Sequence, residues 1–325
     1  MSQKPLNTAV LLVAFNRPDV TARVFERIRK ARPTRLYVAV DGPRSSHGQD
    51  AALCAEVRRI VSTIDWPCEL NTLFREHNLG CKNGVSSAID WFFEHEQEGI
   101  ILEDDCLPSL SFFRFCETLL PRFKTDARIF AIQGNFFGTS ETADTSYLFS
   151  KHFYMWGWAT WADRWKSVDV HQPDGDKVRQ ALKRDKWLGS SFITQTYWLE
   201  ILGRHAAGCI DSWGYSVVFH CFANKLFNVT PTANLVMNIG LGEDATRTAG
   251  MSFGPLHAQA SELRFPLVDS EPYRGAAELL PFEDRWRIQV SRWRLLKRLL
   301  SGKFPRAYRF SATLIRAAWP RSSAG

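Results

Sequence analysis

The chain lacks most of the short motifs that assign a function on sight. Its seven cysteines (Cys54, Cys68, Cys81, Cys106, Cys116, Cys209 and Cys221) contain no CxxC pair. An odd, scattered set fits reduced thiols better than a zinc site or a disulfide framework. No GxxxxGK[ST] loop is present, and no GxGxxG follows the first apolar run. This argues against a P-loop kinase and a dinucleotide-binding dehydrogenase. The eight histidines form no HxxxH or HExxH arrangement, and His220 reads as a packed core residue rather than a ligand. No window approaches the ~18 continuous apolar residues of a membrane-spanning helix. Met1 to Thr8 is polar, without the apolar stretch of a secretory signal, so the expectation is a cytoplasmic protein. Internal repeats and low-complexity tracts are absent. Acidic residues are missing from one region: 285–325 holds eleven Lys/Arg and no Asp/Glu, leaving 30 basic against 34 acidic groups elsewhere. The net charge of +7 therefore belongs to a strongly basic tail on a mildly acidic body. Such asymmetry points to an anionic partner for the tail.

What is present is a chain of 325 residues, 45% hydrophobic, long enough for one large α/β domain or two small ones. Apolar runs alternate with helical spacing through the first hundred residues. Thr8–Phe15, Leu36–Val40, Cys68–Phe74 and Gly99–Leu102 read as strands. Residues 18–32, 50–63 and 84–96 read as helices between them. This order predicts right-handed crossovers and a mainly parallel sheet flanked by helices. Arg17, Asp41 and Asp105 then fall at strand carboxyl ends, on the edge where open α/β sheets bind ligands.

The sharpest feature is Gly99-Ile100-Ile101-Leu102-Glu103-Asp104-Asp105, a short buried-strand pattern ending in three carboxylates. Adjacent negative charges repel one another, and carboxylates at a strand end are natural ligands for a hard divalent cation that carries phosphate. The alternative is a solvated acidic loop. Beyond it, Leu110–Phe123 reads as a helix and Arg128–Gln133 and Ser146–Phe153 as strands. The tract Phe153-Tyr154-Met155-Trp156-Gly157-Trp158-Ala159-Thr160-Trp161 is aromatic around a central glycine. Gly157 and Trp158 are candidates for a sugar platform; the other reading is a turn packed into the core. Residues 171–189 read as surface structure, Thr194–His205 and Tyr215–Asn224 as helices, and Leu226–Met237 as one or two strands. The loop from Asn238 to Thr248, with Gly240 and Gly242, is a lid candidate that includes Glu243 and Asp244.

Taken in order, these signs resemble the GT-A class of nucleotide-sugar glycosyltransferases. The nearer likeness is to bacterial sugar transferases of surface polysaccharide clusters and to the N-acetylglucosaminyltransferase I family. The residues that carry it are Phe15-Asn16-Arg17, Val40-Asp41-Gly42, Leu102-Glu103-Asp104-Asp105, Phe153 to Trp165, and the Asn238-Ile239-Gly240 to Asp244-Ala245-Thr246 loop. Relatives often have His where this chain has Arg247. The resemblance spans residues 8 to about 248 and leaves out the tail.

The resemblance implies a GT-A, Rossmann-like fold over residues 1–284. Residues 1–110 would form a nucleotide-binding half, and 111–250 an acceptor half with the lid. Asp105 would bind Mn2+ or Mg2+, and Glu103 and Asp104 would hold ribose and donor-sugar hydroxyls. Arg17 and Asp41 match positions that contact uridine. Lys82 falls where relatives contact the nucleotide; it also reads as a solvated lysine in a first helical turn. Asp211, in Cys209-Ile210-Asp211-Ser212-Trp213, matches a catalytic base, and an apolar, aromatic setting would raise its pKa. Its other reading is a helix N-cap, with Glu243 and Asp244 as reserve bases. A direct base implies single displacement with inversion.

The expected function is metal-dependent transfer from a UDP-sugar to a glycan or lipid-linked glycan acceptor in surface polysaccharide synthesis. The basic tail, residues 285–325, contains a helical pattern with Trp286, Val290, Trp293, Leu296 and Leu300 along one face. It suits an anionic membrane surface, which places the protein at the inner face of the cytoplasmic membrane. No recognition module for nucleic acid accompanies its charge. Two alternatives stay open: a sugar nucleotidyltransferase, and a non-catalytic membrane-bound nucleotide-sugar-binding protein.

Overall fold

Strand β1 (Val10–Ala14) is buried at every residue, the mark of a strand covered on both faces. Its neighbours explain the burial. In the computed structural model, which describes residues 4–136, 144–240, 259–274, 276 and 279, β1 lies between two parallel partners. One is β2 (Arg35–Val40) and the other is β4 (Glu98–Glu103). β3 (Glu69–Phe74) extends the parallel set beyond β2. Helices α1 (Pro18–Ala31), α2 (Asp50–Val61) and α3 (Gly80–His95) make the crossovers. α1 opens with Pro18 at its first turn and stops where Arg32 turns left-handed, a start and stop that need no tertiary contact.

Past β4 the sheet becomes mixed. Among the described residues, eight strands run in the order β3-β2-β1-β4-β8-β6-β9-β7. β6 (Ile129–Gln133) and β9 (Phe227–Pro231) pair in parallel, whereas β7 (Tyr147–Ser150) and β8 (Trp158–Trp161) run antiparallel to their neighbours. β8 inserts between β4 and β6, so its first residue reaches the same edge as the end of β4. The aromatic tract, expected as a platform or a packed turn, ends in strand β8, and the short helix α5 (Ala162–Lys166) follows it directly.

Alternating side chains divide the core in two. Val10, Leu12 and Ala14 face α1, α2 and α4 (Leu110–Phe123). Ala9, Leu11 and Val13 face α3, α5 and the later helices α6 (Gly175–Lys183), α7 (Phe192–Ala206) and α8 (Trp213–Asn224). Residues 171–189 thus contribute the amphipathic helix α6, whose Val178 and Leu182 join this core. Among the described residues no helix is long and apolar enough to cross a membrane.

A two-stranded ribbon completes the site edge. β5 (Cys106–Pro108) pairs antiparallel with β10 (Val236–Asn238). It starts one residue after the acidic triplet and brings Asn238 opposite Cys106. Leu226–Met237 therefore divides into β9 and the start of β10. The chain from Ser261 to Arg274 has little regular structure but is well tied down. Glu262 accepts from the first amides of α4, Leu110 N at 3.1 Å and Ser111 N at 2.8 Å. The tail, 285–325, and the lid residues Gly242, Glu243 and Asp244 lie outside the described residues.

Candidate active site

The carboxyl ends of β1, β2 and β4 open into a cavity of about 470 Å³. Arg17, Asp41, Glu103, Asp104, Asp105 and Asp211 all line it. They come from four separate segments, and the parallel register of β1, β2 and β4 sets three of those side by side.

Arg17 is the centre of the charge arrangement. Its Nη2 is paired with Asp104 Oδ1, and its Nε donates to Asp104 Oδ2 at 3.4 Å. The same Nη2 lies 3.0 Å from Asp105 Oδ2. Burial alone would lower the Arg17 pKa, but Asp104 and Asp105 outweigh it and hold the guanidinium charged. Asp104 is buried and also accepts from Phe15 N at 3.3 Å. Burial pushes its carboxyl upward against the pull of Arg17. Asp104 is thereby committed to the protein, while Asp105, although it also meets Arg17, and Glu103 line the same cavity.

Gly240 closes over this corner. Ile239 N donates to Asp105 O at 2.8 Å. A Cβ on Gly240 would collide with Asp105 Oδ2 and Arg17 Nη1. The start of the predicted lid loop is therefore anchored by the β5–β10 ribbon directly against the triplet.

Asp41 faces the cavity from the end of β2 and organises the start of α3. It accepts from Gly42 N at 2.9 Å, Asn78 Nδ2 at 3.0 Å and Leu79 N at 3.1 Å. Burial raises its pKa and these backbone donors oppose the rise. Asp211 stands on the opposite wall. Its expected aromatic enclosure is absent: the residue is exposed. It is not the N-cap of α8 either, since Ser212 holds that position.

Three sequence candidates are placed elsewhere. Trp158 is fully buried, stacked between Phe130 and Trp213, because its position in β8 directs it into the core. It offers no face to a sugar. Gly157 has φ 67°, and a Cβ there would press on Val236 and Leu102; the glycine serves packing rather than ligand approach. Lys82 does not line the cavity; its charge acts instead on buried His205, whose pKa is lowered first by burial and then by Lys82. The rings that do reach the cavity are Phe15, Trp156 and Trp213, together with Met155. Which of the tract's residues point outward is set by where β8 begins, and the tract's composition gives no sign of that. His220 lies off the cavity wall and bonds Ser167 Oγ at 3.2 Å, as a packed residue.

Sequence reasoning missed Arg44. It lines the cavity, lies 5.3 Å over the Phe15 ring, and is gripped by Asp50. Arg44 and Asp50 stand six residues apart across a loop, and no motif marks the pair.

The chemistry of a bound cation can be tested on these groups. Among the described residues no three His, Cys, Asp or Glu side chains converge on one point. That arrangement does not suit zinc, which takes most of its ligands from protein. It fits Mg2+ or Mn2+, which bind through one or two carboxylates and complete their shell with phosphate oxygens and water. Asp105, which lines the cavity, is the residue that would hold it.

No known protein family matches the chain, and no curated protein matches it in sequence. A solved structure of UDP-glucose pyrophosphorylase complexed with UDP-glucose is similar at a TM-score of 0.35 and 8% identity. The alignment covers 69% of this chain and 90% of that one.

Proposed function

We propose that this protein is a GT-A-type glycosyltransferase that moves a sugar from a UDP-sugar to a glycan or lipid-linked glycan. One observation carries the reading: four separate segments bring two guanidinium groups and five carboxylates to one cavity at the sheet's carboxyl edge. The volume is that of a small-molecule site, and the edge is where α/β sheets hold nucleotides.

In this reading residues 1–110 hold the nucleotide, and 111–250 face the acceptor. Asp105 would hold a divalent cation, which would supply Lewis-acid stabilisation to the departing diphosphate, with Glu103 beside it toward the donor's hydroxyls. Arg17 adds a fixed positive charge in the same corner. Asp211, open to solvent on the far wall, takes the proton of the acceptor hydroxyl as that oxygen attacks the anomeric carbon. Direct attack inverts the anomeric centre. Met155, Trp156 and Trp213 line the region between these groups and exclude water that would hydrolyse the donor. The basic segment 285–325 would keep the enzyme at an anionic membrane surface.

The decisive experiment offers UDP-sugars and a lipid-linked acceptor and follows the nucleotide product. Release of UDP, with Asp211→Asn reducing turnover by about 10²- to 10⁴-fold while UDP still binds, supports glycosyl transfer. Formation of UTP from UDP-sugar and pyrophosphate would instead make the protein a nucleotidyltransferase. Full turnover by Asp211→Asn would remove the proposed base.

A further inference from the structure

We propose that Met155, seated in a notch that Gly214 leaves open, is the wall that sets how large a sugar unit fits between the triplet corner and Asp211. The inference rests on the nucleotide-sugar reading above and adds a size-determining residue to it.

The first observation is how firmly the chain around Met155 is held. Gln133, the last residue of β6, is fully buried. Its Oε1 accepts from Tyr154 N at 2.9 Å, and its Nε2 donates to His152 O at 3.4 Å. Two residues past Met155, Gly157 O accepts from Gly134 N at 2.9 Å. The end of β6 thus fixes the backbone on both sides of Met155 and Trp156. What remains adjustable is the Met155 side chain, an unbranched thioether with three rotatable bonds.

The second observation is where that side chain rests. Gly214 is the second residue of α8 and is buried. Its backbone is not left-handed, so its conformation does not require glycine. Glycine inside a helix weakens it relative to alanine. A Cβ on Gly214 would collide with Met155 Cε and Sδ. The space that glycine leaves is therefore filled by the thioether. On its other sides Met155 packs against the core that holds Phe153, Trp158 and Trp213, and it borders the cavity. With the notch closed, the open direction for the thioether is into the cavity.

The position gives this wall its meaning. β8 begins beside the end of β4, with Trp158 opposite Ile101, and the backbone at Gly157 lies against Leu102. Met155 therefore leaves the sheet next to the triplet, while its tip touches the segment that carries Asp211. In the proposed reaction the transferred sugar has to lie between these two places. Its anomeric carbon is bonded to the diphosphate on one side and attacked on the other by the oxygen whose proton Asp211 takes.

The test is calorimetric titration of UDP, UDP-glucose and UDP-N-acetylglucosamine, in magnesium buffer, into full-length wild type, Gly214→Ala, Met155→Ala and the double variant. Gly214→Ala should weaken both sugar nucleotides about tenfold relative to UDP, the effect of a methylene-sized change in a pocket. Adding Met155→Ala should restore the wild-type ratio, since no thioether is left to displace. Met155→Ala alone should move the preference about tenfold toward the bulkier UDP-N-acetylglucosamine. A double variant as weak as Gly214→Ala overturns the inference, because the loss then comes from α8 and not from Met155. An equal loss of UDP in Gly214→Ala, or no loss at all, overturns it too. Melting curves check each variant. If Gly214→Ala does not fold, Met155→Ala decides, and an unchanged ratio of the two sugar nucleotides overturns the inference. Each of these outcomes leaves the nucleotide reading standing. A wild type that binds neither UDP nor a UDP-sugar overturns both.

Discussion

Arg17 Nη2 stands 3.0 Å from Asp105 Oδ2 while the same guanidinium holds Asp104. A positive side chain therefore already occupies the approach to the carboxylate proposed to bind the cation. In the proposed function a cation bound there would compete with Arg17 until a diphosphate arrives between them. Arg17→Gln is expected to bind manganese about tenfold more tightly in the absence of nucleotide, read by electron paramagnetic resonance. It should also lose about 3 kcal/mol of stability, because Asp104 is left buried without its partner. Unchanged manganese affinity would separate Arg17 from the cation corner.

Gly240 supplies a second handle on the same corner. A side chain there meets Asp105 and Arg17, so Gly240→Ala should push the carboxylate out of position. A displacement of this kind costs about 10- to 100-fold in turnover. The melting temperature should move little, since Gly240 borders a cavity rather than the core. A fully active Gly240→Ala enzyme would show that the corner has slack.

The two tryptophans that flank Gly157 should behave oppositely. Trp158 fills the core beside Phe130, Phe153 and Trp213. Trp158→Ala should cost about 3–5 kcal/mol by leaving a cavity, measured by urea unfolding. Trp156 borders the site, so Trp156→Ala should cost less stability and raise KM for sugar substrate. Equal stability losses with unchanged KM would argue that both rings are purely structural.

Acid should act in two separate windows. Burial holds His220 down to about 4, against about 6.5 in an unfolded chain. The unfolded state then binds more protons between those values. Stability falls as pH drops from about 6.5 to about 4, by at most about 3 kcal/mol from this residue. His205, lowered by burial and Lys82, adds in the same direction. Asp50 works in the other window: Arg44's hydrogen bonds hold it well below the usual carboxylate range, so its contribution is intact above about 3.8 and lost only in stronger acid. Urea midpoints at pH 7.5 and 4.5 should differ clearly in wild type and less in His220→Gln. Equal differences in the two would remove His220 from the account.

Local chemistry alone determined a good deal here. Short apolar runs mark β1 to β4 and period-3.6 spacing marks the helices between them, because β1, β2 and β4 are covered on both faces and each helix buries one. The strand-end position of Arg17, Asp41 and Glu103 to Asp105 follows from that spacing. Tertiary structure decided the rest. Whether Trp156 or Trp158 meets a ligand depends on β8 entering between β4 and β6, a pairing across more than fifty residues. The grip of Asp50 on Arg44 and the contact of Gly240 with Asp105 depend on how loops fold back over the sheet edge. A sequence reveals what each segment must bury, through its own periodicity. It does not reveal which distant segment will cover it, since that choice is made by packing between surfaces that carry no shared pattern.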